Sequence, residues 1–153
     1  MPRFVLKRAK PSVITLADRA RDAEEWELAA GHYRAALLRN PNNPPIWVQY
    51  GHVLKESGHL AEAERAYRRA IAYDQRVADP HLQLGHVLKL EGKNEEAQAA
   101  YLQAFALDPS LDGASFELAG LGWSEAHLSE LRGMLSGDGQ NGTPHCLGLN
   151  VTG

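Results

Sequence analysis

The stretch GHVLKESGHLAEAERAYRRAIAYD at residues 51–74 returns as GHVLKLEGKNEEAQAAYLQAFALD at residues 85–108. The two copies agree at thirteen of 24 positions without a gap, so that Gly51 is matched by Gly85 and Asp74 by Asp108. A fixed period in this range marks a chain in which one supersecondary unit is copied and stacked. Cut at that period, the sequence gives blocks at 10–43, 44–77 and 78–111 and a broken fourth at 112–136. A basic arm, 1–9, precedes them. The last segment, 137–153, is interrupted by five Gly and has no apolar period, and is expected to be a flexible tail.

Within each block apolar residues recur every three or four positions, the period of an amphipathic helix, and a Gly near the middle marks a turn. The second block predicts helices at 45–57 and 60–73 around Gly58, and the third repeats this around Gly92. The first block has Glu24 where the turn Gly stands in the others. Small residues at Gly51, Gly85, Ala63 and Ala97 let paired helices approach closely. Trp47, Leu54, Tyr67, Leu88 and Tyr101 are large enough to fill the space between hairpins. Pro41, Asp74, Asp108 and Pro109 end the second helices. In the fourth block Phe116 and Leu118 keep the pattern until GLGW interrupts it. Ser124 then reads as the N-cap of a helix over 125–136, a lid on the last stacked face.

These residues and their spacing resemble the tetratricopeptide repeat, W-x2-L-G-x2-Y, then A-x3-F, then P. Trp47, Tyr50, Gly51, Leu54, Ala63 and Tyr67 carry the resemblance in block two. His81, Leu84, Gly85, Leu88, Ala97, Tyr101 and Pro109 carry it in block three, and Ala29, Tyr33, Ala36 and Pro41 in the second half of block one. The resemblance implies an all-α fold of antiparallel helix hairpins stacked in a right-handed superhelix, about three repeats with a C-terminal capping helix. It also implies a non-catalytic scaffold that holds a peptide or partner protein in a concave groove lined by the first helix of each repeat.

Packing claims the Gly, Val and Leu of GHVLK and leaves its His and Lys. Gln49, His52 and Lys55, spaced i, i+3 and i+6, share one helix face, and Gln83, His86 and Lys89 are their mates one repeat later. These six are the expected peptide-binding groove. A Gln amide both donates and accepts, so two of them one repeat apart suit the backbone of an extended chain. The positions resemble the Asn ladder N-L-G-N-V-x-K-E-x-G of O-linked N-acetylglucosamine transferase, with Gln and His replacing both Asn. Family members that bind chaperone tails use a clamp of Lys, Asn, Asn, Lys and Arg. Here that register holds Ile14, Asp18, Gln49, Asp79 and Gln83, whose two acids repel a terminal carboxylate.

Two rival readings follow from other stretches. Residues 43–71 are similar to repeat segments of bacterial sugar transferases, which implies a recruiting module for a glycosyltransferase. An apolar end face, from Phe4, Val5 and Leu6 or from Leu118 and Trp123, favours self-association into a homo-oligomer.

Composition narrows the classes further. With 153 residues, 44% hydrophobic and 23% charged, the chain suits one soluble domain. A net charge of −3 gives no basic footprint for nucleic acid, although residues 1–40 hold eight Lys or Arg against five acids. No apolar run reaches the roughly 18 residues of a membrane span, and the start lacks the apolar core of a signal peptide. The lone Cys146 forms no internal disulfide, so a cytoplasmic location is expected. His52 and His86 offer at most two metal ligands, and neither metal nor other cofactor is expected. No G-x-S-x-G, P-loop or dinucleotide fingerprint is present, so no catalysis is expected. Glu62, Glu64, Glu95 and Glu96, among Arg65, Arg68 and Arg69, read as a solvated convex face. The N-x-T triplets at 141–143 and 150–152 and the His145–Cys146 pair have no assigned role.

Overall fold

A computed structural model of the chain describes residues 8–137. Most of the basic arm, with Phe4, Val5 and Leu6, and nearly all of the tail, with Cys146 and both N-x-T triplets, lie outside the described residues. Eight helices follow one another among them: α1 (Val13–Asp22), α2 (Trp26–Arg39), α3 (Pro44–Glu56), α4 (Leu60–Tyr73), α5 (Ala78–Leu90), α6 (Asn94–Leu107), α7 (Asp112–Gly120) and α8 (Glu125–Leu135). Each helix through α6 packs on the next, and α3 also touches α5, so first helices line one side of the stack and second helices the other. The protein is an all-α solenoid.

Local chemistry sets the helix ends. The hydroxyls of Ser12 and Ser124 accept the Thr15 and His127 N–H groups that open α1 and α8. Pro44 and Pro45 start α3, where a missing N–H costs nothing. Four first helices end in the same two bonds. In α3, the Gly58 N–H donates to Lys55 C=O at 3.0 Å and the His59 N–H to Leu54 C=O at 2.8 Å. This Schellman turn places its central residue in the left-handed region. Gly58, Gly92 and Gly122 take it with φ of +84°, +78° and +96°, and Glu24 takes it with φ of 60°.

The core is a column of tyrosines. Tyr33, Tyr67 and Tyr101, each one repeat after the last, are fully buried, with Leu54, Leu88, Val53 and Val87 around them. Burying each large apolar side chain contributes roughly 1.5–3 kcal/mol. Trp47 stays at the rim, half-buried, its Nε1–H donated to the Pro41 carbonyl at 2.7 Å.

The fourth block breaks at GLGW as its sequence suggests, and two expectations need correction. The helix α7 ends one turn early, since its turn glycine, Gly122, comes four positions too soon after Gly92 for a full repeat. Leu118, one repeat after the buried Leu84, faces inward at 0% exposed, and Trp123 is half-buried beside His127, so Leu118 and Trp123 do not form an open end face. Phe116 on α7 is 76% exposed instead. It stands one repeat after Leu82, which α7 covers at Gly113. The lid α8 rests on α6, with Leu128 buried and Arg132 over the Phe105 ring at 5.6 Å. Finally, Glu64 is not a solvated surface acid. Lys93 Nζ donates to it at 2.8 Å and Arg68 Nε at 2.9 Å, tying the second and third hairpins together.

Candidate functional site

On the first-helix side the repeat register becomes a ladder. Arg21, Lys55 and Lys89 are mates on α1, α3 and α5, and Gln49, Gln83 and Glu117 are mates on α3, α5 and α7. Stacking sets each basic residue against a polar residue of the next first helix. Arg21 Nη1 donates to Gln49 Oε1 at 2.9 Å, and Lys89 Nζ donates to Glu117 Oε2 at 2.6 Å. The middle rung is not made. Gln83 Nε2 turns to Asp79 Oδ1 at 3.3 Å, one turn back on its own helix. Lys55 Nζ makes no hydrogen bond among the described residues, and its ionic neighbour is Glu56 Oε1 at 3.7 Å.

Each of these repeats also holds a tyrosine hydroxyl in its core. The Tyr33 O–H donates to Asp18 at 2.6 Å, and Arg21 joins both groups. The Tyr101 hydroxyl bonds His86 Nδ1 at 3.2 Å. Between them the Tyr67 hydroxyl is buried without a hydrogen-bond partner among the described residues. Its expected neighbour, His52, sets its ring edge-on to Trp26 at 6.3 Å. Two independent features therefore leave the same repeat incomplete.

Burial, with Lys55 adding to it, pushes the His52 imidazole below its ordinary pKa. Burial also lowers His86, outweighing the pull of Glu117 at 3.7 Å, and Lys55 and Lys89 reinforce the shift. Both rings are therefore neutral at pH 7. The amides are oriented by chemistry as well. Arg21 can only donate, so it faces the Gln49 carbonyl oxygen and leaves that NH2 for another acceptor. The Asp79 carboxylate can only accept, so it takes the Gln83 NH2 and leaves the Gln83 carbonyl oxygen.

The six residues singled out in the sequence all lie on first helices, with Lys89 exposed and Gln49, His52, Lys55, Gln83 and His86 half-buried. Lys55, His86 and Lys89 come together around an open cleft of about 780 Å³ that Glu56, Leu90 and Glu117 complete. Gln49 lies apart, with Asp79, in an apolar cleft of about 340 Å³ at the other end of the same helices. Arg21, Asp18 and Glu117 are further polar groups on this side that the repeated pentapeptide did not reveal. Their signal is the recurrence of opposite partners at one fixed separation across adjacent repeats, the same for Arg21 with Gln49 as for Lys89 with Glu117. Among the described residues no three His, Cys, Asp or Glu side chains group to hold a metal, and no helix is long and apolar enough to cross a membrane.

Solved structures share this architecture. The tetratricopeptide domain of Arabidopsis OM64 is 19% identical with a TM-score of 0.65, over 78% of this chain and 91% of that one. The second such domain of human RPAP3, solved with the HSP70 peptide SGPTIEEVD, is 18% identical with a TM-score of 0.69, over 74% and 94%. MamA is 21% identical with a TM-score of 0.67, over 81% of this chain and 72% of its own. At these identities the likeness is one of fold. No curated protein matches the chain. Two tetratricopeptide repeat models match residues 20–84 and 78–111, together more than half of the sequence. With the helix hairpins, the four like turns and the buried tyrosine column, they establish that the chain belongs to the tetratricopeptide repeat family.

Proposed function

We propose that the protein is an interaction scaffold that holds an extended segment of a partner protein along α1, α3, α5 and α7. Gln49, His52, Lys55, Gln83, His86 and Lys89 are the contact residues of this reading. The observation that carries it is the opposite polarity of the two amides: Gln49 has NH2 to give and Gln83 has a carbonyl to receive. An extended backbone offers a C=O and an N–H to match, whatever its side chains. RPAP3, a relative in fold, is solved with a bound peptide, which supports the same use here.

The test is selection of a random peptide display library on the protein, then affinity measurement with selected peptides. Replacing Gln49 and Gln83 together with Ala is expected to weaken binding roughly tenfold or more, two net hydrogen bonds being worth about 1–3 kcal/mol. An unchanged affinity with an intact helical spectrum refutes the assignment.

Phe116 supports a second reading, in which copies associate through the open end of the stack. A large aromatic 76% exposed where the register places a covered leucine is an unclaimed stacking surface. Light scattering over a dilution series tests it: Phe116→Ser should abolish any dimer, and a monomer mass at every concentration removes the idea.

A further inference from the structure

We propose that the gap in the middle rung is a seat for a carboxylate of the bound segment, anchored by Lys55 and flanked by His52 and Gln83. The inference rests on the groove reading above and names the chemistry that the groove selects. Three observations carry it.

First, the ladder shows what the position is built for. In the rung after it, the equivalent lysine, Lys89, carries a carboxylate at 2.6 Å, supplied by the chain's own Glu117. At the corresponding place opposite Lys55 the chain supplies Gln83, which has turned to Asp79. The register that supplies an acid from the next first helix to Lys89 supplies an amide to Lys55, whose nearest carboxylate is that of its own neighbour Glu56, at 3.7 Å.

Second, Lys55 is more enclosed than its mate and makes no hydrogen bond among the described residues. Its side chain is only 18% exposed, against 52% for Lys89, and its ionic neighbour stands at 3.7 Å without a hydrogen bond. A half-buried cation with unfilled donors gains most from an incoming anion, because part of its hydration is already lost. It opens on the cleft of about 780 Å³ that also reaches Glu56, His86, Lys89 and Glu117.

Third, the core tyrosine of the same repeat is also left without a partner. The Tyr67 hydroxyl has no partner among the described residues, whereas Tyr33 and Tyr101 bond to Asp18 and His86. The first repeat fills this level with an acid of its own, Asp18, and the second has His52 turned away toward Trp26. The seat shares Gln83 with the chaperone-tail clamp register of Ile14, Asp18, Gln49, Asp79 and Gln83, but its anchor, Lys55, lies outside that register.

The experiment uses the same random display library on the wild-type chain and on Gln83→Glu, which should close the rung as Glu117 closes its neighbour. Wild type is expected to enrich Asp or Glu at one fixed position, and Gln83→Glu and Lys55→Met to lose that preference. A selected peptide should then lose about tenfold in affinity when its acid becomes the amide, on wild type alone. The occupant is an acidic side chain: a peptide with an internal Glu and an amidated end should keep its affinity, and one with an internal Gln and a free C-terminal carboxylate should lose about tenfold. Circular dichroism confirms that each variant remains helical. Peptides enriched without an acidic preference, or with one that Gln83→Glu leaves intact, overturn the seat and leave the groove reading standing. Failure to enrich any peptide overturns both.

Discussion

The ring of Tyr67 lies so close to Gly51 that a Cβ added there would stand 2.8 Å from Tyr67 Cε1. Gly85 and Tyr101 repeat the relationship one hairpin later, more tightly still. Neither ring has space to retreat, since both are fully buried. Gly51→Ala therefore sets helix propensity, which favours Ala by about 1 kcal/mol, against overpacking of about 1–3 kcal/mol. We expect net destabilisation of about 1 kcal/mol, read as a lower urea midpoint. Gly31, with nothing near its Cβ position, is the control, and Gly31→Ala should stabilise the helix it lies in.

The three core tyrosines should respond differently to loss of the hydroxyl. Tyr67→Phe removes a buried group without a partner and is expected to be neutral or stabilising by up to about 1 kcal/mol. Tyr33→Phe takes a 2.6 Å hydrogen bond from Asp18 and should cost about 1.5–3 kcal/mol, as expected for bonds to charged groups. Tyr101→Phe, bonded to His86, falls between them. Equal losses at all three positions in thermal melts would contradict the unpartnered state of Tyr67.

The hairpins were legible in the sequence because each rests on spacing. Apolar period, turn glycine and terminal Asp or Pro are all local signals, and α4 spans Leu60–Tyr73 as that spacing predicts. Leu118 stands one repeat after the buried Leu84, so its inward place was legible in the register and the end-face reading passed it over. Exposure of Phe116, one repeat after the buried Leu82, has no such local signal, because it depends on what packs beyond α7. The groove was legible only in part. Sequence identity between the two GHVLK copies predicts like environments, yet His86 bonds Tyr101 while His52 turns to Trp26. Those differences come from neighbours outside the pentapeptide, Trp26 on α2 beside His52 and Glu117 on α7 beside His86. Pairings between successive first helices follow from stacking and have no local signature.

Glu24 holds a left-handed conformation, φ 60°, at the turn where the next two repeats place Gly58 and Gly92. A side chain there costs roughly 1–2 kcal/mol, which Gly avoids while losing more chain entropy on folding. Glu24→Gly is expected to stabilise the protein by about 0.5–1 kcal/mol, and Gly58→Ala to destabilise it by about 1 kcal/mol. Urea unfolding of both variants checks the pair. A destabilised Glu24→Gly would mean that the Glu24 side chain makes up for its backbone.

Stability should fall with acid in two separate windows. Burial holds the His52 and His86 pKa values below 6.5 in the folded chain, so the unfolded chain binds protons more readily there. The resulting stability is present above pH 6.5 and is lost as pH falls through that value toward the folded ones. Glu64 acts lower. The hydrogen bond from Lys93, with help from Arg68, outweighs burial and brings its pKa from 4.5 to about 2. A depressed carboxylate contributes stability above its unfolded pKa, lost as pH drops from about 4.5 toward about 2. Urea midpoints at pH 7.5, 5.5 and 3 separate the two. Exchanging both histidines for Gln should flatten the change between pH 7.5 and 5.5 and leave the lower window. Lys93→Met should do the reverse, because the carboxylate then loses its strongest partner and titrates nearer its ordinary value in the folded chain. If the double histidine variant keeps the full loss between pH 7.5 and 5.5, other groups control that window and the two imidazoles are not its source.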